Sequence, residues 1–295
     1  NFLFPFMEGV IANLKTLGKI RTSETYAATL CSFRRFREDK DVPLDDMDSD
    51  MMMAYEAYLK NNGVSPNSSS FYMRNLRAVY NRAVEKGLTS QRFPFKHVYT
   101  GVEKTVKRAV PLKVIKKIKE MDFSMNPSFD FARDMFLMSF YTRGMSFVDM
   151  AYLRKKDLQN GVLSYRRRKT GQQLFIKWEK CMQEIVNKYD TSQSNYLLPI
   201  IKPFGDIDER KQYIYAAHNI NRCLKIIGKE LGLSVSLTLY VARHAWASIA
   251  KSKNVPLSVI SEGMGHDSEA TTRIYLASLD TVAIDKANSM ILKSL

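Results

Sequence analysis

The sequence predicts a mainly α-helical protein of two domains, the first all helix and the second α+β, helical with one small β-hairpin. Three observations carry that expectation. Apolar residues recur at three- and four-residue spacing through most of the chain, as in helices with one buried face. Period-two alternation is clear in one place only, residues 162–178, around a turn containing Gly171. Between residues 89 and 110 the helical pattern lapses at Pro94, Gly101 and a run of cations. This divides the chain into a bundle at 1–88, a linker at 89–110 and a second domain at 111–295, and a chain of this length can bury two cores.

Taken in order, Phe4, Val10, Ile11, Leu14 and Leu17 give one apolar face to a helix over 4–18. Thr22 or Ser23 opens the next, to about residue 38, with Tyr26, Leu30, Phe33 and Phe36 on one side. The acidic cluster Asp45, Asp46, Asp48 and Asp50 suits a loop and a helix start, because carboxylates are favoured at the positive end of the helix dipole. A helix over 49–61 follows, closed by Gly63. Residues 66–70 read as a turn and N-cap before a long helix to about residue 86, stopped by Gly87. On that helix Arg74 and Arg77 stand off the apolar face, either as DNA contacts or as solvated side chains. In the linker, Lys104 and Lys107 could lie along a phosphate backbone.

Pro111 opens a helix over 112–121, and a strongly apolar helix over 128–141 stops at Tyr141-Thr142-Arg143-Gly144. Ser146 and Asp149 form a capping box for the next helix. Arg143 is thereby held in a tight turn at the end of a buried helix, where a cation needs an anionic partner, an Asp or a DNA phosphate. The hairpin projects Lys169 from Arg168-Lys169-Thr170-Gly171, with Arg166 and Arg167 beside it as further DNA-binding candidates. Taken alone, that turn also reads as ordinary basic surface. Helices are expected over 179–189 and 216–231, with 190–212 irregular, and an apolar final helix covers 279–295.

Residues 238–275 carry an Arg, a His and a Tyr in an order and spacing that suggest one reaction. At about 100° per residue, Ala242, Ala245, Trp246 and Ile249 share one helix face, with Arg243 at its edge and Tyr240 and His244 on the polar side. Pro256 starts a second helix and Gly263 ends it. Gly265 leaves His266 near the start of a third, capped by Asp267 or Ser268, with Tyr275 about two turns along. A phosphate could sit among Arg243, His266 and Tyr275. Each signal alone has a plainer reading, such as a core tyrosine, a capped turn or a snorkelling arginine. Their conjunction suggests attack of a tyrosine hydroxyl on a phosphodiester.

Composition agrees with a DNA-acting protein. The net charge is +15, and residues 1–100 hold 14 basic and 11 acidic side chains against 31 and 19 in the remainder. A polyanion partner follows, nucleic acid before an anionic membrane, since no basic amphipathic helix with an exposed aromatic face stands out. No apolar run reaches the roughly 18 residues of a membrane span, and nothing resembles a signal peptide. Cys31, Cys181 and Cys223 are widely spaced and odd in number, which suits a reducing cytoplasm. There is no zinc motif or phosphate-binding glycine loop, so no metal and no cofactor is implied. The start at Asn1 instead of Met suggests a fragment with a segment missing upstream.

The order Arg143, Lys169, Arg243, His266 and Tyr275 resembles the tyrosine recombinase (phage integrase) family. The resemblance covers nearly the whole chain, and rests on Thr142-Arg143-Gly144, Arg168-Lys169-Thr170-Gly171, Ala242-Arg243-His244, Gly265-His266-Asp267 and Tyr275. The run Tyr240-Val241-Ala242-Arg243-His244-Ala245-Trp246 is similar to integrases of mobile elements and invertible DNA segments in Bacteroides-type bacteria. One departure stands out: the family usually has His three residues before the second Arg, and Tyr240 is there instead. A tyrosine can donate to a phosphate but does not replace imidazole as an acid–base group near neutral pH.

The resemblance implies a SAM-like helical core-binding domain and a C-terminal catalytic domain. It implies Tyr275 as nucleophile forming a 3′-phosphotyrosyl link, Arg143 and Arg243 clamping the phosphate, and Lys169 as general acid. His266 would donate to the phosphate or assist proton movement, with Tyr240 and His244 in support. No metal or ATP is required, since the covalent bond conserves the phosphodiester energy. The implied partners are double-stranded DNA and three further copies, in a tetramer that exchanges the tail helix, together with DNA-bending accessory proteins. The implied location is the bacterial cytoplasm, in association with the nucleoid. Rival readings are a type IB topoisomerase, which shares the chemistry, a DNA-binding relative with impaired catalysis, and a basic RNA-associated protein.

Overall fold

The computed structural model of the chain describes residues 1–103, 109–202, 207–277 and 289–292. The chain separates into two compact units, Asn1–Lys104 and Thr105–Leu295. The first is a helical bundle of α1 (Leu3–Thr16), α2 (Ile20–Phe36), α3 (Ser49–Asn61) and α4 (Pro66–Glu85). Their apolar stripes meet around Phe33, Tyr55 and Tyr80, all fully buried. The Tyr55 hydroxyl is satisfied inside this core by donating to Ser32 Oγ at 2.7 Å. Asp48 caps α3 by accepting from the Met51 amide at 2.8 Å, as the acidic cluster leads one to expect.

Two expectations for this unit need correction. Residues 66–70 are helical rather than a turn: Ser65 is the N-cap, accepting from the Ser68 amide at 3.4 Å, and Pro66 occupies the first helical position. Nor does the tether begin at residue 89. Phe95 and Val98 are buried in the bundle's core, and the Phe95 ring meets Tyr80 edge-on at 6.3 Å between centroids. Pro94 and Gly101 break the periodicity there without releasing the chain from the core.

The second unit comprises α5 (Leu112–Glu120), α6 (Pro127–Tyr141), α7 (Phe147–Ala151), β1 (Leu158–Gln159), β2 (Val162–Arg166) and β3 (Gln173–Lys177). It continues with α8 (Lys180–Asn187), α9 (Glu209–Glu230), α10 (Leu239–Ser252), α11 (Leu257–Met264) and α12 (Glu269–Ala277). α6 is the central helix, packed against α5, α8, α9 and α10. Met135, Phe136 and Met138 on it are fully buried. The strands form one antiparallel sheet in the order β1-β2-β3, with Leu163 opposite Ile176 and Tyr165 opposite Leu174. Those four side chains point inward. β1 went unseen in the sequence because two residues are too few to show alternation. α9 begins earlier than its apolar pattern, since Asp208 accepts from the Arg210 and Lys211 amides and starts the helix there.

A smaller core of Ala247, Ala250, Ile260, Met264 and Leu276 joins α10, α11 and α12. Gly263, expected to end α11, is helical. The terminator is Gly265, which adopts the left-handed conformation at φ 64°. The predicted tail helix lies outside the described residues except for 289–292, which are helical, with Met290, Ile291 and Leu292 exposed. No described helix is long and apolar enough to cross a membrane.

Candidate active site

The site is built on the turn after α6. The Thr142 hydroxyl donates to Met138 O at 2.7 Å, and the chain then reverses through two left-handed residues, Arg143 (φ 61°) and Gly144 (φ 75°). That turn lies hard against α10. A Cβ added to Gly144 would fall 2.7 Å from the Arg243 Cα. The Arg143 side chain passes Gly263 and borders a cavity of about 410 Å³ shared with Trp246, Val259 and Glu262. No carboxylate among the described residues forms an ion pair with Arg143. Of the two partners the sequence allows this cation, no Asp among the described residues is one.

Arg243 joins three segments that are distant in sequence. Its Nη1 donates to Gly144 O at 2.8 Å, and its Nη2 donates to Met264 O at 2.8 Å and lies 3.0 Å from His266 Nε2. The side chain is buried, and only a planar, multiply donating group could serve all three acceptors at once.

The His266 tautomer follows from its neighbours. Arginine can only donate, so Nε2 is a bare acceptor, and the ring hydrogen on Nδ1 is donated to Thr272 Oγ1 at 2.7 Å. Burial first, then the charges of Arg243, Arg167 and Lys169, hold the imidazole down to about 4, with Asp267 opposing. His266 is thus neutral at physiological pH. The folded state resists a proton that the unfolded chain accepts near 6.5. Stability is therefore expected to fall as pH drops from about 6.5 toward 4. The thermal midpoint of the wild type should decline more steeply across that interval than that of His266→Gln, and parallel profiles would refute the assignment.

The hairpin supplies the other cations. Lys169 is exposed at its turn. Asp149, the buried partner of Ser146, receives the Ser146 hydroxyl at 2.6 Å on Oδ2 and the Arg168 amide at 2.9 Å on Oδ1. It thereby anchors the start of the turn that carries Lys169. Arg167 is buried, with Nη1 donating to Gly265 O. The Tyr165 phenol is raised by burial and by Asp149, while Arg243, Arg167 and Arg143 all pull the other way. The three guanidinium charges therefore act on one region. Among the described residues no group of three or more His, Cys, Asp or Glu side chains is placed to hold a metal.

The remaining expectations divide. Tyr240 is exposed at the surface end of α10, with its ring edge-on to His244 at 4.6 Å. His244 is buried instead of lining a cleft, because α10 is packed by α6, α9 and α11 at once. Tyr275 lies on α12 three residues beyond Thr272, and its side chain is outside the described residues, as are Lys104 and Lys107. On α4, Arg74 is half-buried, and Arg77 is exposed and donates to Thr100 Oγ1 at 3.2 Å. Arg166 is exposed and donates to Gly171 O at 2.6 Å, which leaves Arg167 as the inward-facing member of that pair. Sequence reasoning missed Thr272, fully buried against His266, and Asp149 as the hairpin's anchor.

A helical unit followed by a mixed unit carrying arginines, a lysine and a neutral histidine ahead of a tyrosine has the architecture of a DNA strand transferase. Two family models match the chain: the phage integrase SAM-like domain over residues 2–98 and the phage integrase family over residues 112–281. The chain belongs to the phage integrase family and is a site-specific tyrosine recombinase by that membership. Its fold is similar to that of a lambda integrase fragment crystallised as a dimer bound to a COC′ core site (TM-score 0.70, 16% identity, 93% of this chain and 95% of that one). It is also similar to the XerH site-specific recombinase in a post-cleavage complex with palindromic difH (TM-score 0.67, 17% identity, 96% and 83%). A third similar structure is the Tn1549 transposon integrase with transposon right end DNA (TM-score 0.66, 14% identity, 98% and 99%). No curated protein matches the chain.

Proposed function

We propose that the chain cuts and rejoins duplex DNA through a covalent bond between Tyr275 and a 3′ phosphate. The observation that carries this reading is the Arg243 side chain, which gathers Gly144 O, Met264 O and His266 Nε2 around one buried guanidinium. That brings together the turn holding Arg143, the end of α11 and the imidazole, one helix away from Tyr275. Arg143 supports it, because a partly buried cation with no carboxylate partner among the described residues suits a phosphate.

In this scheme the Tyr275 oxygen bonds to phosphorus and the bond to the 5′ oxygen breaks. The tyrosine proton passes to a base, for which neutral His266 is the imidazole held at the cluster, and Lys169 protonates the departing 5′ oxygen. Arg143 and Arg243 take the charge that builds on the non-bridging oxygens. A 5′ hydroxyl from a partner strand reverses the step. The substrate is a pair of DNA duplexes in the cytoplasm, held by four copies of the chain. The exposed apolar residues Met290, Ile291 and Leu292 support a tail that docks on a neighbouring copy. The Arg74 and Arg77 edge of the first unit and Arg166 on the hairpin are proposed to contact the DNA backbone.

The test is incubation with supercoiled DNA carrying the sequences that flank the gene, followed by denaturation in detergent. A covalent protein–DNA adduct is expected, and Tyr275→Phe should remove it entirely. An adduct that persists in Tyr275→Phe would assign the nucleophile elsewhere. Relaxed but never recombined product would favour a topoisomerase.

A further inference from the structure

Along β2 the inward-facing residues are Leu163 and Tyr165, and the period of two continues past the strand's end to Arg167. Alternation therefore aims a cation into the protein. Arg167 is 8% exposed. Its guanidinium carries five N–H donors, and among the described residues its one hydrogen bond is from Nη1 to Gly265 O. Among the described residues it has no carboxylate partner. Asp149, the acidic group anchoring this hairpin, already receives the Ser146 hydroxyl and the Arg168 amide.

The placement of the single bond is informative. Arg243 donates to Met264 O and Arg167 to Gly265 O, so two buried guanidiniums grip consecutive carbonyls immediately before His266. The left-handed turn at Gly265 permits this, and an added Cβ there would sit 3.2 Å from Arg167 Cδ and 2.9 Å from Leu174 Cδ1. Arg167 thus reaches the His266 loop from the hairpin side while Arg243 reaches it from α10. Its Nε and Nη2 are not among the buried side-chain atoms that lack a partner, so these donors stay accessible from solvent, and an anion there would complete a cation held this deep.

We propose that Arg167 is a further ligand of the scissile phosphate, donating to a non-bridging oxygen beside Arg243. This rests on the strand-transfer reading given above. It separates Arg167 from Arg166, whose exposed side chain folds back on Gly171 O. The competing account makes Arg167 a strut that only ties the hairpin to the His266 loop.

The two accounts differ in what they predict when the phosphate loses its charge. The scissile position is first mapped from the wild-type adduct, and that phosphate is then replaced by a methylphosphonate, in which a methyl group stands for one charged oxygen. Adduct formation is compared with wild type on each DNA for Arg167→Ala and for Arg167→Lys, which keeps a buried cation and tolerates the fold better. On the natural phosphate Arg167→Ala should lose about a hundredfold and Arg167→Lys roughly tenfold. On the methylphosphonate both losses should shrink to a few-fold. Equal losses on the two DNAs, in Arg167→Lys or in both variants, would make Arg167 a strut and overturn the inference. So would an undiminished rate in Arg167→Ala. A wild type that binds the DNA yet forms no adduct would overturn the strand-transfer reading itself, which is a distinguishable result.

Discussion

Arg243→Lys is expected to slow covalent adduct formation by about a thousandfold while weakening DNA binding only slightly. The guanidinium serves Gly144 O, Met264 O and His266 Nε2 from one plane, at 2.8, 2.8 and 3.0 Å. An ammonium on a flexible stem cannot reproduce the fork that serves Gly144 O and Met264 O at once. The variant leaves at least one buried carbonyl without a donor, at a cost of about 1–3 kcal/mol in stability. It also removes the bidentate grip on the phosphate that the strand-transfer scheme requires, and losing one such donor typically costs a hundredfold to a thousandfold in rate. Affinity depends on many phosphate contacts, so one fewer changes it little. Single-turnover adduct formation measured beside filter binding separates the two effects. A rate within tenfold of wild type, with binding intact, would show that the buried guanidinium is structural only.

Much of this arrangement could be read from the residues, and the failures have physical causes. The helix over 49–61 was legible to the residue because its cap, Asp48, and its apolar stripe are both local signals. The hairpin was legible because alternation and a turn glycine coincide. The motif order singled out Arg143, Arg243 and His266, and the fold brings the last two into direct contact. What was not legible depends on tertiary packing. Either glycine of Gly263-Met264-Gly265 could have ended α11, and the choice is made by the hairpin, since Leu174 and Arg167 leave no room for a Cβ at Gly265. His244 looked polar-facing because a single helix wheel assumes one buried side, whereas α10 is enclosed on several. Arg167 and Arg166 read alike, as DNA-binding candidates on the hairpin, although only Arg167 faces inward. Its register with Leu163 and Tyr165 was the available signal for telling the two apart.

The close approach of the α6 turn to α10 leads to the second large effect. Gly144→Ala is expected to destabilise the catalytic unit by about 3 kcal/mol or more and to abolish the adduct. Two penalties combine. At φ 75° an L-residue is strained, by about 1–2 kcal/mol. The new methyl would also lie 2.7 Å from the Arg243 Cα and from its Cγ, so the obstacle includes backbone and not only a side chain that can rotate away. Relief requires moving the turn off α10, which draws Gly144 O away from Arg243 Nη1 and loosens Arg143 with it. Gly161 supplies the control. It has nearly the same backbone, φ 71°, but a Cβ there meets nothing within 4 Å. Gly161→Ala should therefore cost only the strain, about 1–2 kcal/mol, and keep the adduct. Denaturant midpoints of the two variants, read beside their adduct yields, isolate the contribution of packing. Equal destabilisation in both would mean that the α6 turn is held by its own conformation, and that its contact with α10 does not position Arg243.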